Sequence, residues 1–456
     1  MFLNILFFIL PFLQYCGIAL QGVSLYALAF LLPGLFFLSK NKRIPSYFCI
    51  IGWSLLLLHL LFPLVNFIRW FFPNQTILHS LYTIEWTWPG IFRSGFPSTL
   101  FFCGIVCVVL GVLSSRSLAS GSLQKGIAPL RFFLLGLAPA SILFSCALIY
   151  QHNTGIDYRS LFRHKVVFLS SDDMFSTGGY RVYGFYGHPL TAGAVTITYA
   201  LFAWALLWSW IGKGCSAAWG FIPFSKNKVL GIAWLAAIAL SNSVGVLLSG
   251  GRTLTLAGIF LFVLIPIVSF SKKYVLKTAA IFIPVLLVAL FFIRNLGVFS
   301  RIQAVTSSIT RSESLDAKDY RLYFWKTYWH MFRDNPVFGQ GNYWLKKGVL
   351  DAYYDRLGYG NLPEKFPAHY IYLEVLGSAG IFGALWIAFF FLILMRTLKN
   401  KVLTKEKNLR PVFLSFVFAF VGNALHGLTQ NVFFDSSVVF IYLCLLPFII
   451  FGAMSV

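Results

Sequence analysis

Three side chains in this sequence have the types that proton transfer and phosphate binding need. His369 follows a Pro-Ala pair and opens a long apolar run, and a histidine with its usual pKa of about 6.5 is well suited to take a proton near neutral pH. Arg252 lies in a Ser-Gly-Gly-Arg-Thr stretch between two apolar runs, where a guanidinium fork could bind a phosphate. Arg321 lies among aromatic residues, on which a guanidinium can stack and still keep its donors.

Each of the three also has a structural alternative. Arg252 could extend towards lipid headgroups from the membrane boundary, and Arg321 could form an ion pair with Asp316 or Asp319. A lone histidine is often structural, but His369 begins a helix at the membrane depth expected of Arg252. That shared depth favours a common site.

Transmembrane helices must position these residues. The 456 residues are 58% hydrophobic and 11% charged, against roughly 25% charged in soluble domains. Apolar runs of about 20 residues recur along the chain, enough to cross about 30 Å of hydrocarbon as helices. We therefore expect an all-α polytopic membrane protein with about 12 transmembrane helices, near 2–20, 22–39, 46–67, 98–114, 132–150, 189–211, 229–249, 254–270, 278–296, 369–395, 411–431 and 436–454.

The basic residues predict the orientation. Short connections such as 212–228 and 396–410 carry Lys and Arg with almost no acid, so they and both termini should face the cytoplasm. The other connections hold nearly all the acidic residues and about half of the 36 basic ones. That excess favours an anionic ligand on the outer face, although long loops can escape the positive-inside rule.

The largest outer connection, 297–368, is too long for a simple link. We expect it to form helices at the membrane surface, one of them ended by Asp334-Asn335-Pro336. The chain then divides into N-terminal helices, central helices with an outer loop, the large loop, and C-terminal helices: 1–150, 151–296, 297–368 and 369–456.

Several classes of function are disfavoured. The net charge of +22 has no soluble basic domain to carry nucleic-acid binding. The seven cysteines show no metal spacing, and the outer loops lack a DxD or paired His/carboxylate cluster. We therefore expect no metal.

Four stretches, in order, resemble motifs of the O-antigen ligase family, which also contains O-antigen polymerases and protein O-oligosaccharyltransferases. Arg252 and Leu256 match its Arg-xxx-Leu pattern, and His369 with Gly380 and Gly383 matches its His and paired-Gly spacing. Tyr370 departs from the small polar residue usual there. The stretches 180–189 and 321–341 also resemble the family, so the resemblance covers roughly 175–395.

The resemblance implies a GT-C-like membrane fold with a helical periplasmic loop, in a bacterial inner membrane with its active site facing the periplasm. The family moves a glycan from an undecaprenyl-diphosphate carrier to an acceptor hydroxyl, here lipid A-core, by one inverting displacement without metal or cofactor. His369 would be the base, Arg252 and Arg321 would bind the diphosphate, and Arg181 is a further candidate for it.

The roles of three polar residues stay open: Glu374, His188 and Asp435.

Other functions remain to be separated. An O-antigen polymerase would extend another lipid-linked glycan, but its paired Arg-x10-Gly motifs occur only at Arg93–Gly104, which ends inside a span. A protein oligosaccharyltransferase is the third family alternative. A lipid-linked oligosaccharide flippase would carry charges in the middle of its spans, where this chain has almost none except Glu374.

Overall fold

The structure is a computed structural model, and the residues that it describes are mostly helical. These residues are 2–15, 123–161, 167–169, 179–186, 188–213, 215, 219–269, 321–337, 339–340, 347–362, 368–377, 380–385, 388, 392, 410–430, 438 and 441. The helices are α1 Phe2–Tyr15, α2 Leu123–Thr154, α3 Tyr158–Leu161, α4 Pro189–Gly212, α5 Lys228–Leu248, α6 Arg252–Ser269, α7 Arg321–Asp334, α8 Lys347–Arg356 and α9 Arg410–His426. Ile156 and Phe168 form an isolated antiparallel bridge.

Four of the described helices are long and apolar enough to cross a membrane: the Leu130–Thr154 part of α2, and α4, α5 and α6. They confirm the predicted helices near 132–150, 189–211, 229–249 and 254–270. A shorter apolar helix, Pro411–His426, lies within the predicted span 411–431, and α1 lies within 2–20. The predicted spans 22–39, 46–67, 98–114 and 278–296 lie outside the described residues, as does most of 436–454.

Helix α4 lies at the centre of the bundle. It packs against α5, α6 and α9, and almost all of its residues are buried, as expected for a helix that is apolar on every side. Polar side chains fix its neighbours: Asn423 of α9 donates to Thr198 Oγ1 at 2.6 Å. Tyr15 of α1 donates to Asn242 Oδ1 of α5 at 2.6 Å.

The segments predicted to lie outside meet at one end of this bundle. Helix α5 ends and α6 begins beside the first turns of α4, where Gly193 packs against Ser249 and Leu254. The end of α2 reaches the same place, because the Gln151 side chain accepts from the backbone of Tyr183 at 3.0 Å. The basic connection between α4 and α5 lies at the opposite end, in agreement with the alternation predicted from charge.

Helices α7 and α8 confirm the expected helices in the 297–368 loop. Phe324, Tyr328 and Met331 of α7 pack with Tyr353 and Tyr354 of α8. Helix α7 ends at Asp334, as predicted. The Asp334 carboxylate accepts from Tyr353 and Arg356 at 2.8 and 2.5 Å, so the end of α7 is fixed to α8.

The predicted span 369–395 is not one continuous helix. Its described part is helical at 371–377 and again at 380–385, and Gly380 has a φ of 64°. Residues 335–337 and 339–340, here called the docking segment, fill this break. The amides of Ile381 and Phe382 donate to the carbonyls of Pro336 and Val337 at 2.7 and 3.0 Å, and Gln340 donates to Gly377 at 2.8 Å. The docking segment thus supplies partners that a new helix end requires, and the expectation of an uninterrupted helix is wrong at Gly380.

Candidate functional site

His369 is held at the outer end of the bundle by two other parts of the chain. Trp325 of α7 donates its indole N–H to the carbonyl of Ala368 at 3.1 Å. The amide of Ile371 donates to the carbonyl of Gly427, just after α9, at 3.0 Å. Between these anchors His369 has a φ of 49°, a left-handed conformation that costs a non-glycine residue about 1–3 kcal/mol. Such strain at a polar residue is a frequent mark of a functional site.

The ring of His369 is also oriented. Its Nδ1 lies 3.0 Å from Oε1 of Gln430, and its face contacts the ring of Phe324 with centroids 6.4 Å apart. In the neutral ring, Nδ1–H donates to the amide oxygen, which leaves the lone pair on Nε2. The arrangement therefore presents Nε2 as the proton acceptor.

The surroundings keep this ring neutral. Burial lowers the pKa of His369 below its usual 6.5, the Gln430 hydrogen bond raises it, and the positive charge of Arg321 lowers it. A lowered pKa means that the imidazole is neutral at neutral pH, and the hydrogen bond to Gln430 keeps its one proton on Nδ1. The arrangement suits a general base and also places Arg321 within electrostatic range of the ring.

A second histidine lies near His369. His188 caps α4, with Nδ1 accepting from the amide of Leu190 at 3.1 Å. The protein atoms packed around its ring have the largest effect and, with the positive charges of Arg181 and His369, lower the pKa of His188 to about 4. His188 is thus neutral at pH 7 and lies close to both of these basic residues.

Arg181 joins this group to the turn before α6. Its Nε donates to the carbonyl of Ser249 at 3.2 Å, and the next amide, of Val182, donates to Leu248 at 3.1 Å. The segment containing Arg181 therefore lies along the end of α5, next to the glycine turn that precedes Arg252.

Arg252 is the first residue of α6 and its side chain is exposed. The glycine before it packs against Leu190, so Arg252 belongs to the same end of the bundle as His188. A cation at a helix N-terminus is electrostatically unfavourable by itself, and α6 has no acidic residue in its first turn. Helix amides and a guanidinium together attract an anion.

The structure thus brings together most of the residues predicted from sequence. The charge of Arg321 acts on the neutral ring of His369, Arg181 and His188 extend the group, and Arg252 lies at the same end. Asp316, Asp319 and Asp435 lie outside the described residues.

Glu374 is buried and lies near Tyr328 of α7. Burial first, and the nearby Glu374 carboxylate second, raise the pKa of Tyr328 well above its usual value. Its contacts indicate a place in the packing of α7 against the 371–377 helix.

Sequence reasoning missed three residues of this region. Gln430 orients His369, Trp325 anchors Ala368, and His426 is buried at the end of α9. His426 had a signal, since an ionisable residue in an apolar run is a functional candidate. Nothing in the pattern distinguishes Gln430. Tyr370, which departs from the family pattern, stacks against Trp325 with ring centroids 5.5 Å apart.

The possible metal ligands are scattered. Within the part of the chain that the structure describes, no group of three or more His, Cys, Asp or Glu residues could hold a metal ion.

The family described as O-Antigen ligase matches residues 234–388, about a third of the chain. No curated protein matches the chain. The matched segment contains Arg252, Arg321 and His369. The resemblance expected over 175–395 is therefore confirmed for 234–388, whereas Arg181 precedes the match and Gln430 follows it.

Proposed function

We propose that this chain, whose residues 234–388 match the O-antigen ligase family, transfers a glycan from an undecaprenyl-diphosphate carrier to a hydroxyl of lipid A-core. The reaction takes place on the periplasmic face of a bacterial inner membrane. It is a single inverting displacement and uses no metal or cofactor.

The observation that carries this proposal is the setting of His369. Gln430 orients the ring so that Nε2 has the lone pair, and Arg321 lies close enough for its charge to lower the pKa of the ring. A neutral, oriented imidazole beside a guanidinium is what an acceptor hydroxyl and an anionic leaving group require together.

The proposed step transfers one proton, forms one bond and breaks another. Nε2 of His369 takes the proton of the acceptor hydroxyl while its oxygen forms a bond to the anomeric carbon. The bond from that carbon to the diphosphate oxygen breaks, and the electron pair leaves with the carrier diphosphate. Attack opposite the leaving group inverts the anomeric carbon.

Arginines offset the charge that develops on the leaving group. Arg252 and Arg321 bind the diphosphate oxygens, and Arg181 provides a further contact. Because Arg252 begins α6 and Arg181 lies beside the end of α5, a lipid carrier could keep its chain in the bilayer while its diphosphate reaches the site. Donors fixed before the reaction stabilise the transition state without reorganisation.

The experiment is to replace His369 by Ala and by Gln in the native host and to separate the envelope glycans on a gel. We expect glycan attached to lipid A-core to disappear while lipid-linked polymer accumulates. His330→Gln is the matched control, because His330 is a half-exposed histidine of α7 away from the proposed chemistry. Membrane levels of each variant are measured in parallel.

Other outcomes identify other functions. If only single repeat units remained attached to lipid A-core, the protein would be an O-antigen polymerase. Lipid-linked glycan retained on the cytoplasmic leaflet would indicate a flippase. A wild-type ladder in both variants at normal protein levels would show that His369 is structural.

A further inference from the structure

His188 has a hydrogen-bond donor of fixed direction. Its Nδ1 accepts from the Leu190 amide, so in the neutral ring the hydrogen is on Nε2. No described residue accepts a hydrogen bond from this Nε2. The ring is exposed in part, so Nε2–H is available to a group that binds from solvent. His188 and His369 thus hold opposite tautomers, one presenting a donor and the other an acceptor.

The groups around this donor are basic. Among the described residues, Arg181 is the cation whose charge acts on His188, since the other interacting residue, His369, is neutral at pH 7. Arg181 is itself held in place by the Ser249 carbonyl. A guanidinium beside a neutral N–H donor favours an anionic ligand, to which the N–H adds a directed hydrogen bond.

An independent observation concerns another residue near His188. His426 of α9 is buried, with 1% of its surface exposed, and lies within electrostatic range of His188. Its Nδ1 has no hydrogen-bond partner among the described residues. Leaving such an atom buried and unsatisfied is costly. The region near His188 is therefore polar beyond the needs of the helix bundle.

We propose that His188 is a substrate-binding residue that donates Nε2–H to a phosphate oxygen of the lipid-linked diphosphate, beside Arg181. This inference rests on the proposed function, because the diphosphate is the donor substrate of that reaction. His188 thereby contributes to binding from outside the segment that matches the family, which begins at residue 234.

Two substitutions separate this role from helix capping. His188→Asn keeps an oxygen that can cap α4, since asparagine is among the best N-cap residues, but it loses the distant donor. His188→Gln places an amide N–H near the position of Nε2 and gives up the favoured capping geometry. If His188 only caps α4, His188→Gln should be the more harmful substitution. If His188 binds the substrate, His188→Asn should be the more harmful one.

The measurement is the affinity of the purified full chain in nanodiscs for undecaprenyl diphosphate, with undecaprenol as the uncharged probe. Loss of one hydrogen bond to a charged group corresponds to about a tenfold or larger rise in Kd. We expect this rise for His188→Asn, a smaller one for His188→Gln, and no change in undecaprenol binding. Thermal unfolding of each variant shows the capping contribution separately.

A wild-type Kd in His188→Asn would overturn the inference. A wild-type Kd together with a raised KM for the acceptor would also overturn it and assign His188 to the acceptor instead. Arg252→Gln distinguishes this failure from failure of the proposed function. If Arg252→Gln weakens binding while His188→Asn does not, only the role of His188 fails; if neither does, the diphosphate site itself is wrong.

Discussion

At the scale of residues, His369 gains its properties from neighbours distant in sequence. Its left-handed backbone is maintained by hydrogen bonds on both sides: Trp325 donates to Ala368, and Ile371 donates to Gly427. The Gln430 side chain then selects the tautomer. A strained backbone that the surrounding structure determines is typical of catalytic positions. We infer that the orientation of the ring, as much as its presence, sets the rate.

Two substitutions should move the pH dependence of glycan transfer in opposite directions. A general base works when unprotonated, so activity rises with pH through the pKa of His369, which lies below 6.5. Arg321→Gln removes a positive charge that lowers this pKa, so the acidic limb should shift to higher pH. Gln430→Ala removes a hydrogen bond that raises it, so the limb should shift to lower pH. The measurement is the pH profile of the residual rate.

Arg333→Gln provides the control for these profiles. Arg333 is exposed in the last turn of α7, and its replacement removes one positive charge from the same helix without touching His369. Its profile should match that of the unchanged protein. Identical acidic limbs in all three variants would contradict the assignment of His369 as the titrating base.

The residue types of this site could be predicted from sequence, but their partners could not. His369, Arg252 and Arg321 stood out because charged or titratable groups at the membrane boundary need a reason. Gln430 did not, since a single amide at the end of an apolar run has no distinguishing spacing. The opposite tautomers of His188 and His369 depend on hydrogen bonds to Leu190 and Gln430, which only the fold provides.

At the scale of elements, the interruption of the helix after His369 requires glycine at position 380. A Cβ on Gly380 would overlap the carbonyl oxygens of Val337 and Pro336, which cap the following helix turn. The docking segment follows α7 directly, and α7 positions His369 through Trp325. The break therefore joins the loop helices to the helix that follows His369.

Gly380→Ala should disrupt this junction. The positive φ alone costs an L-residue about 1–2 kcal/mol, and the overlap with backbone adds to it, because backbone cannot move as easily as a side chain. We expect a lower unfolding temperature of the purified protein and a loss of transfer activity. Gly258→Ala is the control, since a Cβ there meets Ile197 and Val246 only at ordinary distances of 3.6 and 3.9 Å.

Equal unfolding temperatures for Gly380→Ala and Gly258→Ala would contradict the role given to the docking segment.

The sequence could not predict this break, because glycine is frequent in transmembrane helices and the capping carbonyls lie more than forty residues away. The helices α2, α4, α5 and α6 were predictable from sequence, because length and hydropathy alone define a span.

At the scale of the whole molecule, polarity is distributed along the bundle axis. Helix α4 is enclosed by its neighbours, whereas α5 and α6 expose large apolar side chains, among them Val229, Leu240 and Phe260 with 75%, 58% and 59% exposed. Water would not favour such a surface, and lipid would. His188, His369, Arg181 and Arg252 gather at one end, and the lysine-bearing connection between α4 and α5 lies at the other. This asymmetry suits chemistry at one membrane face better than passage across it.

Composition and charge predicted the arrangement of helices along the bundle axis, because that arrangement depends on the surrounding lipid and water and not on specific contacts. Apolar runs must be helices in lipid, and the alternation of basic connections assigns their ends. Helix packing, in contrast, determines whether distant segments converge, here 180–188, 249–252, 321 and 369. Their convergence was expected only because all four segments were assigned to the same face, and motif order in the family supported it.

The most direct test of the account is transfer by the purified chain in nanodiscs, from a polyprenyl-diphosphate-linked glycan to lipid A-core, comparing the unchanged protein with His369→Gln. Removing a general base typically slows a reaction about 10²- to 10⁴-fold. The account predicts that His369→Gln binds the donor with unchanged affinity and loses at least about 10²-fold in single-turnover rate. Transfer at an unchanged rate by His369→Gln would contradict it.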